Sequence, residues 1–285
     1  MGSEMNGKFI LLTIVGVILL SDTTLCSGWT RAQGSIYTKL AVTTLGTSEA
    51  HDQNGDTYTT PQFNTWSLNL YGEYGITDRL TAILRAPLLR SAKFENSESL
   101  TNIGDLSIEV KYGLVRGNTP VAIAVEAEFP TGEEVGLAPL TDGSGGSVRL
   151  PTGDGEFNTR IKASISRSFH PIPAYLSFVA GYNIRTKSFT NEYQFMIQAG
   201  YRIGTVIWLQ GNLDARGPVT TPNPALASQA TLGFGEGVQY VAYSLGLSYE
   251  MLPSVALSLD AYSAFGKITS IYSGLNLVFG VSWTN

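Results

Sequence analysis

From residue 64 almost to the C-terminus, apolar and polar side chains alternate with a period of two. That period marks a strand whose two faces meet different environments. Over 64–75, Trp66, Leu68, Leu70, Gly72 and Tyr74 fall on one face, and Ser67, Asn69, Tyr71 and Glu73 on the other. Residues 104–114 set Leu106, Ile108, Val110, Tyr112 and Leu114 against Asp105, Ser107, Glu109 and Lys111. The same rule assigns strands to 80–88, 121–129, 157–169, 174–185, 192–202, 205–214, 238–250, 255–265 and 274–284, with a weaker first strand near 34–45. A tilted strand needs about 9–11 residues to cross the hydrocarbon of a bilayer. Strands of soluble domains average about 5–6. These segments have the longer length, so they predict an all-β fold: a transmembrane, antiparallel, up-and-down β-barrel of about twelve strands.

Composition agrees with that class. Charged residues make up 14% of the chain, against roughly 25% in soluble domains, yet the mean hydropathy stays near zero. A helical membrane protein is far more apolar, whereas a barrel averages its lipid-facing and water-facing residues. The net charge of −5, with no cluster of Lys and Arg, excludes nucleic acid as a partner. Residues 1–28 read as a secretory signal peptide: Lys8, then the apolar run Phe9 to Leu20, then a small-residue exit at Cys26-Ser27-Gly28. Cleavage as late as residue 32 also fits, at Thr30-Arg31-Ala32. The barrel then occupies 29–285, and Cys26, the one cysteine, leaves with the signal. The first strand follows so closely that no N-terminal plug is expected.

The connections alternate in length. Short turns fall at 76–79, 116–120, 170–173, 202–205 and 251–254; longer links fall at 46–63, 90–103, 130–156, 186–191, 215–237 and 266–273. Short turns on the periplasmic side and longer extracellular loops are the outer-membrane arrangement. Aromatic residues give an independent test of sidedness. Tyr74, Tyr112, Phe169, Tyr201, Tyr249 and Trp283 stand outward beside the short turns, and Trp66, Phe129, Phe157, Tyr193 and Phe265 near the opposite ends. Two bands at fixed depth suit rings that favour the headgroup region, so the predicted location is the bacterial outer membrane, with both termini periplasmic.

Three stretches resemble a known family. They are Ile103 to Leu114 (IGDLSIEVKYGL), Phe129-Pro130-Thr131-Gly132, and Leu150 to Phe169 (LPTGDGEFNTRIKASISRSF), continued by Ala174 to Thr186 (AYLSFVAGYNIRT). Together they resemble the MetA-pathway of phenol degradation family of outer-membrane proteins, over roughly 66–215. The resemblance implies an outer-membrane barrel that takes up small, often hydrophobic or aromatic organic molecules.

The inward face suggests where selectivity would reside. Arg85, Asp105, Glu109, Lys111, Glu126, Glu128, Arg160 and Lys162 stand on consecutive strands and predict a charge ladder along one lumen wall. Two roles remain open for it: a solute-binding constriction that sorts by size and charge, or a structural filling of paired charges that closes the barrel. Loop 130–156, with Leu137, Ala138, Pro139 and Leu140, is either a lid or a surface loop, and loop 215–237 poses the same choice. Catalysis is not expected. A barrel hydrolase needs a histidine on a strand beside a serine, and His51 and His170 are both assigned to connections. Asp52-Gln53-Asn54-Gly55-Asp56 reads as a turn, since a calcium loop would need a closing glutamate. Gly233 to Gly237 follows no βαβ unit and is no nucleotide loop. No cofactor or metal is predicted; the expected partners are outer-membrane lipids, the barrel-assembly machinery and a small organic solute.

Overall fold

The computed structural model describes residues 27–226 and 233–285. Its strands are β1 (Ile36–His51), β2 (Thr57–Thr77), β3 (Leu80–Phe94), β4 (Leu100–Asn102), β5 (Leu106–Val115), β6 (Val121–Phe129), β7 (Leu137–Pro139), β8 (Ser147–Arg149), β9 (Asn158–Ser168), β10 (Ala174–Arg185), β11 (Glu192–Ile203), β12 (Ile207–Pro218), β13 (Gln239–Leu252), β14 (Val255–Thr269), β15 (Ile271–Ser273) and β16 (Asn276–Thr284). Twelve of them, all but β4, β7, β8 and β15, pair antiparallel with their neighbours in chain order. The last, β16, returns to β1 in register from Tyr37↔Thr284 to Leu45↔Asn276. Closure leaves no unpaired edge, which is the condition for spanning hydrocarbon with strands.

Every segment expected to be a strand is one, and the alternation predicts its faces. Ile108, Val110, Tyr112, Ile123, Val125, Ile161, Ile165, Phe178 and Ile197 lie exposed on the outside, while Ser107, Glu109, Lys111, Glu126 and Gln198 are buried within. So broad an apolar exterior is unstable in water and is matched by lipid. Arginine in place of Val125, near the middle of β6, is therefore expected to cost roughly 2–4 kcal/mol. Urea titration of folding into lipid vesicles measures it, and an unchanged midpoint would contradict the lipid-facing assignment. Both aromatic bands are present with one amendment. Tyr193 is half-buried, because its ring lies across the wall over Gly217, and Phe195 stands exposed beside it.

The extracellular boundaries differ from expectation. Links predicted at 46–63, 90–103 and 266–273 are largely strand: β1 and β2 stay paired up to His51↔Thr57, β3 reaches Phe94, and β15 pairs with β1. Backbone pairing continues beyond the lipid, where Thr57, Thr59 and Gln62 are exposed and no apolar alternation is needed. A raised collar results on the β1–β3 and β14–β15 side of the mouth. The calcium-like segment is a plain turn, with Asp52 Oδ1 accepting the amides of Asn54 and Asp56.

The periplasmic end holds a segment that the alternation does not anticipate. The expected leader lies outside the described residues except for Ser27 and Gly28, and residues 27–33 run inside the barrel. The Gly28 amide donates to Ser166 Oγ at 2.8 Å, and Thr30 Oγ1 to the Asp78 carbonyl at 2.8 Å. The Arg31 amide reaches Thr81 Oγ1, and its guanidinium pairs with Glu73 at 2.5 Å. This strap follows the wall from β2 to β9 and narrows the mouth. Glycine makes room for it: a Cβ on Gly75 would collide with the Ala32 carbonyl. An aperiodic stretch of seven residues carries no signal of its own, so alternation could not have found it.

Candidate functional site: the lumen and its mouths

The ladder forms where three strand pairs put inward charges side by side. Glu109 on β5 stands directly opposite Glu126 on β6, and Glu126 opposite Arg160 on β9. Two carboxylates in register repel, and the neighbouring strands supply the remedy. Arg85 on β3 bridges both, at 3.0 Å from Glu109 and 2.7 Å from Glu126. Lys162 bridges the same two from the other side, at 2.9 and 2.5 Å. Arg160 pairs with Glu126 and, at 2.8 Å, with Glu128. Glu126 is thus the hub, contacting three cations while almost wholly buried. Buried Lys111 adds positive field at Glu109.

Asp105 does different work. It precedes β5 at the extracellular rim, and its carboxylate accepts the backbone amides of Gly132 and Asp154, both at 2.9 Å. It therefore anchors the 130–156 loop. Burial pushes its pKa up to about 6, against the lowering by those two amides, and burial raises Asp154 as well. A carboxyl whose pKa is higher when the loop is docked takes up a proton on docking. The penalty for burying the charge is full above pH 6 and falls away as the pH drops through about 6 towards 4. Protection of the 130–156 loop from added protease is expected to rise over that window, and less so in Asp105→Asn. Protection that falls on acidification would contradict the coupling.

The loop itself folds inward, which settles the choice left open by sequence. Its hairpin, β7 with β8, presents Ala138 to a cluster that includes Leu45, Phe63, Phe94, Leu150 and Phe234. Of the apolar run only Ala138 is buried, and Leu137 is 57% exposed. Phe234, from the 215–237 loop, lies under the Arg90 guanidinium at 4.6 Å, and Arg90 also donates to the Thr152 carbonyl. The 130–156 loop and the described C-terminal part of the 215–237 loop therefore meet at the mouth.

A second charged group holds this lid, and its members escaped the sequence reading. Arg185 on β10 pairs with Glu156 of the 130–156 loop and, at 2.9 Å, with Glu192 on β11. It also donates to the Gly235 carbonyl and stacks over Phe189 at 4.5 Å. Arg216 on β12 completes the chain at 2.7 Å from Glu192. Glu236 accepts the amides of Thr190 at 2.9 Å and Asn223 at 2.6 Å. The alternation that found Arg160 also places Asn183, Arg185, Asp214 and Arg216 inward. Carried through the second half of the chain, it would have exposed this group.

Two of the spaces inside are bounded by described residues. One of about 170 Å³ lies beneath the lid, between Arg85, Glu126 and Arg160 on one side and Glu192, Asp214 and Arg216 on the other. A wider one of about 610 Å³ opens at the periplasmic end, between Trp29 of the strap and residues of β1, β10, β12, β13, β14 and β16.

His51 is not in a loop. It ends β1, where its Nε2 lies 3.0 Å from Ser273 Oγ on β15. The pair nevertheless lacks the arrangement of a nucleophile with its base: Ser273 is buried and donates to Glu49 Oε1 at 2.8 Å, and the other ring nitrogen faces Thr57 at 3.3 Å. A serine whose proton already points at a carboxylate and whose oxygen is shielded cannot easily attack a substrate.

No family model matches the chain, and no curated protein matches it. Solved structures do. An outer-membrane channel from Pseudomonas putida F1 superposes with a TM-score of 0.65 over 92% of this chain and 99% of its own, at 13% identity. The translocator domain of the autotransporter NalP from Neisseria meningitidis superposes at 0.51 over 89% of each chain, at 8% identity. At such identities the likeness is one of fold. A closed twelve-stranded barrel with an apolar exterior, two aromatic bands and these structural neighbours is a protein of the bacterial outer membrane.

Proposed function

We propose that the protein is an outer-membrane channel through which small organic solutes diffuse passively, with the two extracellular loops as its gate. The observation that carries this is the charge-lined chamber beneath the lid, where acids and bases face each other across free space. A channel needs groups that attract a solute without holding it, and closely matched charges suit neutral or zwitterionic molecules better than ions. No chemical step is required, so the protein is read as a non-enzyme. The resemblance to the MetA-pathway family favours small, often hydrophobic or aromatic molecules as the solutes. The ladder residues then line a constriction, and Asp105 acts through the loop it anchors. Lipids surround the barrel and the assembly machinery inserts it.

A second reading is favoured by the saturation of Glu126 with three cations: a structural barrel whose lumen is closed by its own charges. Purified protein in planar bilayers separates the two. Steady conductance steps that change in Arg160→Ala support the channel. Silence from a well-folded barrel at all voltages and pH values would leave the structural reading.

A further inference from the structure

Three rings meet at the periplasmic end of the lumen. Trp29, on the strap, stands edge-on to Tyr175 of β10, with centroids 5.8 Å apart and planes at 90°. Tyr175 in turn leans on Trp208 of β12 at 5.9 Å. Together they wall the chamber of about 610 Å³. Absent side chains keep it open. A Cβ at Gly200 would fall within the Tyr175 ring, and one at Gly280 would press on the stem of Lys39, so both groups lie flat against glycine. The charges at its wall already hold partners: Lys39 has Asp260 at 3.4 Å, while Glu250 has Arg202 at 2.7 Å and the Trp208 indole N–H at 3.1 Å. A solute entering here meets ring faces and ring edges, and little field to draw in an ion. Aromatic groups stack offset or edge-to-face and so select flat rings.

We propose that this chamber is a binding site for a planar, uncharged ring solute at the periplasmic exit, and that the strap supplies its inner wall. The inference deepens the channel reading and rests on it, because bound solute would be on its way through. Trp29 takes its position from its edge contact with Tyr175 and from the ties that follow it in the chain, the Thr30 hydroxyl to the Asp78 carbonyl and Arg31 to Thr81 and Glu73, all of which lie beyond the expected leader. The strap is then a specificity element as well as a narrowing of the mouth.

The test uses the full barrel refolded in detergent, carrying Trp66→Phe and Trp283→Phe so that Trp29 and Trp208 are the remaining tryptophans of the four. Nitrobenzene, a neutral ring that quenches indole fluorescence, is the probe. Saturable quenching is expected, relieved by phenol and not by cyclohexanol. Adding Trp29→Ala should weaken the site about tenfold, the loss of one stacking partner. Gly75→Ala should weaken it similarly by pushing the strap from the wall, with heat-modifiable gel mobility confirming a folded barrel in each variant. Unsaturable quenching, equal relief by cyclohexanol, or an intact mass showing that processing removes Trp29 would each overturn the proposal. Conductance is read separately. A conducting barrel without a saturable site rejects the ring site alone, whereas a silent barrel with one rejects the channel.

Discussion

Alanine at Glu126 is expected to lower the stability of the barrel by about 3–5 kcal/mol, the cost of leaving buried charge uncompensated. The substitution leaves Arg85, Arg160 and Lys162 crowded around a vacated carboxylate, with only Glu109 and Glu128 to share among them. Three cations that had been drawn together then repel across the lumen. The thermal midpoint followed by circular dichroism should fall markedly, and the reversal potential in a salt gradient should move toward anions. Glu126→Gln, which keeps the shape and two hydrogen-bonding atoms, should lose less stability but show a similar change of selectivity. A midpoint unaltered in both variants would mean that water already screens the ladder, and Glu126 would cease to be its hub.

The second large effect is expected at the lid. Arg185→Ala removes the pairing with Glu156, the bond to the Gly235 carbonyl and the stacking on Phe189. Charge-assisted hydrogen bonds contribute about 1.5–3 kcal/mol each. Loss of even one moves a two-state docking equilibrium roughly ten- to a hundredfold toward the undocked loops. Single-channel records should therefore show a higher open probability while the barrel itself remains folded. Unchanged gating would assign closure to the apolar cluster of Phe63, Phe94 and Phe234 instead.

The parts of this molecule legible from sequence are those that lipid dictates. A strand in a bilayer must alternate, so Ile108, Glu109, Val110 and Lys111 declare their faces with no partner in view. The charge ladder was readable for the same reason, although register, which puts Glu109 against Glu126, depends on loop lengths and turn geometry. What could not be read lies outside the hydrocarbon. The collar continues as strand without an apolar outer face, sustained by backbone pairing and by the inward rings of Phe63, Phe94 and Tyr272, which show no alternation toward lipid. Asp105 was legible as inward but not as a loop anchor, since its partners are backbone amides that any sequence carries. The strap was invisible because Gly75, Thr81, Ser166 and the Asp78 carbonyl advertise nothing, and Glu73 reads only as one more inward charge. His51 was misplaced for a related reason: β1 reaches it only after the alternation has ended.

The seam between β1 and β16 bears on how the molecule is made. Ile36 and Thr284 meet across 248 positions of chain, so the first strand to emerge during synthesis waits for the last. Until then both flanks of the growing sheet expose a row of amides and carbonyls that hydrocarbon cannot solvate. Contacts so distant along the chain also make spontaneous closure slow. No shorter version of this polypeptide ending before β16 has a resting place in the bilayer, and the nine residues Asn276–Thr284 decide whether all the others reach one.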